Sequence, residues 1–247
     1  MTGATILSLE NVSKSFRGLK AVSAVSLEVR QEEIVGLIGP NGAGKTTLFN
    51  LISGFLHPDA GRVVFEGRDL AGLKPNRICR MGLARTFQIV KPFGNLTVLE
   101  NVAVGAFNLA ASPAEAEAKA WSVIEFIGLA PKALSPAHSL TTPDRKRLEL
   151  GRALASSPRL LLLDEVMAGL NPREKGDVTD LVRKIRASGV AVLIIEHAMR
   201  VIMGLSDRVC VLNYGECIAT GDTAAVCANP RVIEAYIGAP HAERRSA

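Results

Sequence analysis

A chain of 247 residues, 48% of them hydrophobic, is long enough for one large domain with a substantial core. Its apolar runs, such as Leu160 to Leu163 and Val190 to Ile195, fall far short of the roughly 20 residues a membrane-spanning helix needs, so the chain is not expected to cross a bilayer by itself. The net charge of +5 permits an anionic partner. The one dense basic run, Arg145, Lys146 and Arg147, falls on a helix and reads as solvated surface, so no nucleic acid is expected.

The start, MTGATILSLENVSK, lacks the basic flank, long apolar stretch and cleavage site of a secretory signal, which places the chain in the cytosol. Segments near Ile6 to Leu9, Val22 to Val29 and Arg62 to Phe65 read as antiparallel strands, with EGRD as a hairpin turn. From Ile34 onward the apolar runs IVGLI, LLLLD, VAVLII and RVCVL alternate with amphipathic stretches. That alternation predicts a parallel sheet with helices on its faces. Between them, the region from about Ile89 to Ser156 is rich in Ala, Glu and Lys and reads as several helices, one opening on the capping box Thr97-Val98-Leu99-Glu100. Short helices are expected from Asp222 to Gly238, and APHAERRSA reads as a frayed tail. Cys79, Cys210, Cys217 and Cys227 form no CxxC pair and read as reduced core thiols.

Between the strand ending near Ile38 and the helix starting near Lys45 stands GPNGAGKTT, which satisfies GxxxxGK[ST] at Gly39, Gly44, Lys45 and Thr46. Its glycines let successive backbone N–H groups curl around an anion, the helix presents its positive end, and Lys45 adds a point charge at the β- and γ-phosphates. Thr46 offers a hydroxyl to Mg²⁺. Gly39, Pro40, Asn41, Gly42, Ala43, Gly44, Lys45, Thr46 and Thr47 are thus the expected nucleotide-binding residues.

The strand Leu160 to Asp164 should end at the same sheet edge as this loop. Asp164 can then hold Mg²⁺ through water, and Glu165 can polarise the water that attacks the γ-phosphate. An NKxD guanine-selecting motif is absent from the sequence, which sets GTPases aside. Val190 to Ile195 runs into Glu196-His197, bringing an imidazole to the same edge within reach of the γ-phosphate.

In order and spacing these motifs resemble the nucleotide-binding subunit of ATP-binding cassette (ABC) transporters over nearly the whole chain. The resemblance implies an α/β fold: a P-loop NTPase (RecA-like) core with an antiparallel β subdomain, residues 1–88 and 156–240, and a helical subdomain, residues 89–155. It makes Gly39 to Thr46 the Walker A loop, Leu160 to Asp164 the Walker B strand, Glu165 the catalytic carboxylate and His197 the switch histidine. Gln88, in ARTFQ, becomes the Q-loop residue that senses Mg²⁺ and the attacking water, and Phe16, in KSFRGLKAV, the aromatic that stacks on adenine.

GLARTFQ, KPFGNLTVLENVAVGA, AGLNP and DTAAVCANPRVIEAYIG are similar to the ATP-binding subunits of branched-chain amino acid importers, the LivG type. Such a resemblance implies ATP and Mg²⁺ as cofactors and a head-to-tail pair of ATPase subunits; the residues Thr141 to Asp144 favour two different ones, with a homodimer as the other arrangement. It also implies two transmembrane permease subunits, a periplasmic solute-binding protein acting indirectly, and a peripheral seat on the cytoplasmic side of the inner membrane. An apolar cluster of Val90, Phe93 and Leu96 is the expected docking surface for a permease helix. The alternative is a soluble cassette ATPase acting on nucleic acid or the ribosome; such relatives carry long coiled coils or tandem cassettes, which do not fit this length.

One departure stands out. Where the family has Leu-Ser-Gly-Gly-Gln, this chain has Leu140, Thr141, Thr142, Pro143 and Asp144. The resemblance makes Thr141 and Thr142 contacts to the opposite subunit's ATP, but Pro143 offers no N–H and Asp144 brings a negative charge towards an anion. As a helix start, Thr142 is expected to be the N-cap, with Pro143 at N1.

Overall fold

Alternation dictates the first sheet. In β2 (Leu19–Arg30) the side chains of Val25, Leu27 and Val29 are buried while Ser26 and Glu28 face solvent. A computed structural model describes residues 3–88 and 91–237; Val90 of the expected docking cluster and the APHAERRSA tail lie outside the described residues. β1 (Thr5–Phe16) pairs antiparallel with β2 on one side and with β4 (Ala60–Phe65) on the other, and β5 (Arg68–Asp69) closes the expected hairpin on β4.

The second sheet has six strands. β3 (Ile34–Ile38), β6 (Leu83–Arg85), β7 (Leu160–Asp164), β8 (Ala191–Ile195) and β9 (Arg208–Asn213) run parallel, and β10 (Glu216–Gly221) adds an antiparallel edge. In β7, Leu161 and Leu163 enter one core, with the helical region, while Leu160 and Leu162 enter the other, against the antiparallel sheet. β8 divides likewise, with Val192 and Ile194 on one face and Ala191, Leu193 and Ile195 on the other. Both faces are covered, so apolar runs without polar alternation are the stable choice. Each such leucine contributes about 1.5–3 kcal/mol.

Two strands show only weakly in the sequence. β6 is three residues long at an edge of the sheet, and β10, ECIATG, is only half-buried, so neither carries a strong apolar pattern. Helices fill the rest: α1 (Lys45–Ile52), α2 (Pro75–Arg80), α3 (Val98–Ala106), α4 (Pro113–Phe126), α5 (Thr142–Leu154), α6 (Pro172–Ala187), α7 (Met199–Leu205), α8 (Thr223–Cys227) and α9 (Pro230–Ile237). The capping box of α3 is formed, Thr97 Oγ1 accepting from the Glu100 N–H and Glu100 Oε2 from the Thr97 N–H. Among the described residues no helix is long and apolar enough to cross a membrane.

The start of α5 corrects the sequence reading. Thr141, not Thr142, is the N-cap: its backbone is extended (φ −65°, ψ 164°), and its hydroxyl accepts from the Asp144 N–H at 3.4 Å. The same hydroxyl donates to Asp144 Oδ2 at 2.7 Å, and Lys132 Nζ donates to that oxygen as well. With Asp144 three residues after the cap, Thr141 gains a reciprocal partner that Thr142 would lack.

Candidate functional site

Because β3, β7 and β8 are parallel neighbours in register, Ile195 aligns with both Leu37 and Asp164. The segments that follow these strands therefore emerge side by side at one edge of the sheet. The loop after β3 curls as its glycines allow. A Cβ on Gly39 (φ +150°) would meet the Leu212 carbonyl oxygen at 2.1 Å, and one on Gly44 (φ +100°) the Ala21 carbonyl oxygen at 2.3 Å, so neither position accepts a side chain. Lys45 is buried and donates to the carbonyls of Gly39 at 2.7 Å and Pro40 at 2.9 Å. Burial pulls its ammonium below the usual lysine range, opposed by the charges of Glu165 and Asp164. Thr46 is exposed at the start of α1.

Glu165 is the centre of the arrangement. His197 Nε2 lies 2.8 Å from its Oε1, and Gln88 Nε2 donates to its Oε2 at 2.8 Å. Its backbone sits at φ +50°, a left-handed conformation that costs a residue with a Cβ roughly 1–3 kcal/mol. The Glu165 N–H donates to the Ile195 carbonyl at 3.0 Å, and Lys146 Nζ donates to the Glu165 carbonyl at 3.4 Å. The carboxylate is thus presented from a strained, over-determined turn, with a histidine and an amide already oriented on it. Asp164, one residue earlier, is buried and its Oδ2 accepts from Arg85 Nη2 at 2.9 Å.

Lys146 corrects the sequence reading of a solvated basic run. It is 6% exposed and turned towards the site, because residues 145–147 point to different sides of α5. Three further charged residues went unassigned from sequence. Arg85 bonds Asp164; Glu196 Oε1 accepts from the Met167 N–H at 2.8 Å; and Glu149 Oε1 accepts from the Phe87 N–H at 2.5 Å. Burial raises the carboxyls of both Glu149 and Glu196 above the usual range, against those backbone hydrogen bonds. Their only sequence signal was charge inside apolar segments, which does not name a partner.

Phe16 ends β1 and is 43% exposed, with Lys14 Nζ 5.9 Å from its ring centroid. It is therefore open to stacking rather than a core residue. Thr141 and Thr142 are exposed at the start of α5, and among the described residues neither hydrogen-bonds to the phosphate loop. The Asp144 carboxylate does not stand free: burial would raise it, but Lys132 and Thr141 outweigh that and hold it below the usual carboxylate range. In the docking cluster, Phe93 is exposed beneath the Arg152 guanidinium at 4.8 Å, and Leu96 is half-buried.

A phosphate-cradling loop, a carboxylate pair and a histidine on one edge of a doubly covered parallel sheet define a P-loop ATPase of the cassette type. The family model described as ABC transporter matches residues 22–168, and that of the branched-chain amino acid ATP-binding cassette transporter matches residues 216–242. The chain belongs to the ABC transporter ATP-binding family. It is 41% identical to the high-affinity branched-chain amino acid transport ATP-binding protein LivG of Salmonella typhimurium, over 94% of this chain and 98% of that protein. It is 39% identical to BraF of Pseudomonas aeruginosa, a protein with the same description, over the same shares of the two chains. A solved ATP-binding cassette of an ABC transporter in its ADP conformation superposes with a TM-score of 0.87 at 35% identity, covering 95% of this chain and 99% of that one. As a member of this family the chain binds nucleotide and hydrolyses ATP.

Proposed function

We propose that this chain powers the uptake of branched-chain amino acids, or a related small solute, through two membrane-spanning permease subunits that it serves from the cytoplasmic face. The observation that carries the hydrolytic part is the grip of Gln88 and His197 on Glu165 at 2.8 Å each. When ATP enters, Lys45 leaves the Gly39 and Pro40 carbonyls for the β- and γ-phosphates, the backbone N–H groups of residues 41–47 close around them, and Phe16 stacks on the adenine. Glu165 accepts the proton of the attacking water, and His197 turns its imidazole from Glu165 towards the γ-phosphate. The donor set fits Mg²⁺: one buried carboxylate, Asp164, an open hydroxyl, Thr46, and the amide of Gln88 are hard oxygens, few in number, as suits an ion that also takes phosphate oxygens. When bound, Mg²⁺ neutralises charge developing on the phosphates.

Docking is best supported at a groove of about 380 Å³ between α2, α3 and α5, walled by Phe55, Phe87 and Val104 and rimmed by Arg152. All three apolar walls are exposed, Phe93 adjoins through Arg152, and a permease helix would bury them. We read residues 89–155 as the helical subdomain, which gives the groove Val104 and Arg152 while Phe55 and Phe87 come from the core. For its ATPase partner we infer a different cassette subunit. Pro143 offers no N–H, and the Thr141 hydroxyl proton is committed to Asp144, so this chain meets the partner's ATP with fewer donors than Ser-Gly-Gly would supply.

The test is uptake. A complex reconstituted with the permease subunits and a solute-binding protein should accumulate leucine, isoleucine or valine in an ATP-dependent way, and stop when Lys45→Ala is introduced. ATP hydrolysis that none of these solutes stimulates would refute the substrate class.

A further inference from the structure

We propose that Arg85 is a positioning residue for Asp164: its guanidinium orients the carboxylate and competes with Mg²⁺ for it, and its seat beneath Phe87 links that competition to the docking groove. The proposal rests on the reading of Asp164 as the Mg²⁺ carboxylate. Arg85 is the last residue of β6, in register with Leu162 of β7, two residues before Asp164. Nη2 donates to Asp164 Oδ2 at 2.9 Å, while Nη1 donates to Asn50 Oδ1 at 2.6 Å and Ser53 Oγ at 3.1 Å. Asn50 lies on α1 and Ser53 at its C-terminal end, the helix that starts at Lys45 and Thr46. One side chain thus ties the helix of the hydroxyl to the strand of the carboxylate.

The guanidinium also lies against two aromatic rings. Its carbon lies 5.5 Å from the Phe49 ring centroid and 5.3 Å from that of Phe87. Phe49 is fully buried, but Phe87 is a wall of the groove, set edge-on to Phe55 at 5.8 Å. Arg85 Nε is buried with no hydrogen-bond partner among the described residues. An unpaired buried donor is a cost that an ordinary structural arginine avoids, and here it accompanies a fork held on Asp164 and α1. Whatever packs on the outer face of Phe87 therefore presses on the cation that holds the metal carboxylate.

Charge decides the direction. A cation 2.9 Å from a carboxylate oxygen repels a second cation at that carboxylate, whereas its removal leaves a buried charge uncompensated, which a metal ion relieves. A variant without the guanidinium charge should take up Mg²⁺ more readily yet orient it less well. A merely structural residue would weaken both functions together.

The experiment is a Mg²⁺ titration of ATP binding by the full chain, read from a fluorescent ATP analogue, with hydrolysis measured in the assembled complex. Asp164→Asn comes first. If it leaves the half-saturating Mg²⁺ unchanged, the reading of Asp164 fails, and with it the basis for a role of Arg85. If Asp164→Asn raises it, Arg85→Gln should lower the half-saturating Mg²⁺ by about three-fold or more while slowing hydrolysis. Arg85→Lys, which keeps a charge at Asp164, should stay within about two-fold of wild type, and Phe87→Leu should move in the direction of Arg85→Gln by a smaller factor. An unchanged or raised value for Arg85→Gln overturns the proposal, as does Arg85→Lys shifting as far as Arg85→Gln. Should Arg85→Gln fail to fold, Phe87→Leu decides: an unshifted value overturns the link to the groove, and a lowered one supports it.

Discussion

Substituting the start of α5 with Thr141→Ser, Thr142→Gly, Pro143→Gly and Asp144→Gln should quicken hydrolysis of the partner subunit's ATP. Two donors are regained. Pro143→Gly restores an N–H, and Asp144→Gln removes the carboxylate that holds the residue-141 hydroxyl at 2.7 Å. One preorganised donor to a developing phosphate charge is worth on the order of 10² to 10³ in rate. Because a glutamine at 144 still offers an oxygen to that hydroxyl, a net gain on the order of 10² is the expected figure. There is a stability cost: the Lys132 ion pair is lost, and two glycines in the first turn of a helix remove about 2 kcal/mol at most. The assay is single-turnover hydrolysis in the mixed complex, with Lys45→Ala in this chain so that only the partner's nucleotide reacts. No gain in rate, in a complex that remains assembled, would refute the inference that Thr141 to Asp144 impair that site.

Titration gives further checks. The sulfurs of Cys210 and Cys217 share a hydrogen bond at 3.2 Å, which, against burial, lowers the Cys217 thiol to about 7. Alkylation of Cys217 by iodoacetamide should therefore rise with a midpoint near that pH and shift towards the ordinary thiol value of about 8.5 in Cys210→Ala; a midpoint that does not move contradicts the pairing. Burial raises Glu149, and a raised folded-state value contributes stability below the unfolded value that is lost as pH rises through the folded one. Glu149→Gln, which keeps an oxygen for the Phe87 N–H, should match wild type at about pH 4 and be the more stable of the two at about pH 8 in urea denaturation. The opposite trend would exclude burial as the cause.

What the sequence disclosed was whatever physics writes locally. GPNGAGKTT requires glycine at Gly39 and Gly44 because backbone from β9 and β2 presses on them, and a run such as LLLLD shows itself because every residue in it is buried. Glu165 and His197 were legible because each stands within two residues of the end of such a run. Contacts made across the chain were not legible. Arg85 meets Asp164 only once β6 lies beside β7, and β6 is too short to show a pattern. Lys146 looked solvated between two arginines, although the turn of α5 carries it inward. At the altered signature, Thr142 before Pro143 read as the cap, whereas the choice of Thr141 depends on Asp144, which Lys132 holds from outside the helix.

The central claim, that Glu165 is the base for ATP hydrolysis at this chain's own nucleotide, is tested most directly by Glu165→Gln in the reconstituted complex, with the partner's site silenced and ATP binding and hydrolysis measured on the same preparation. Glutamine keeps the length of the side chain and an oxygen that can accept from Gln88 Nε2 but cannot take a proton. ATP affinity should stay within about three-fold of wild type, while turnover falls on the order of 10² to 10⁴ fold. Turnover within about two-fold of wild type at undiminished ATP affinity would contradict the assignment of Glu165 as the base.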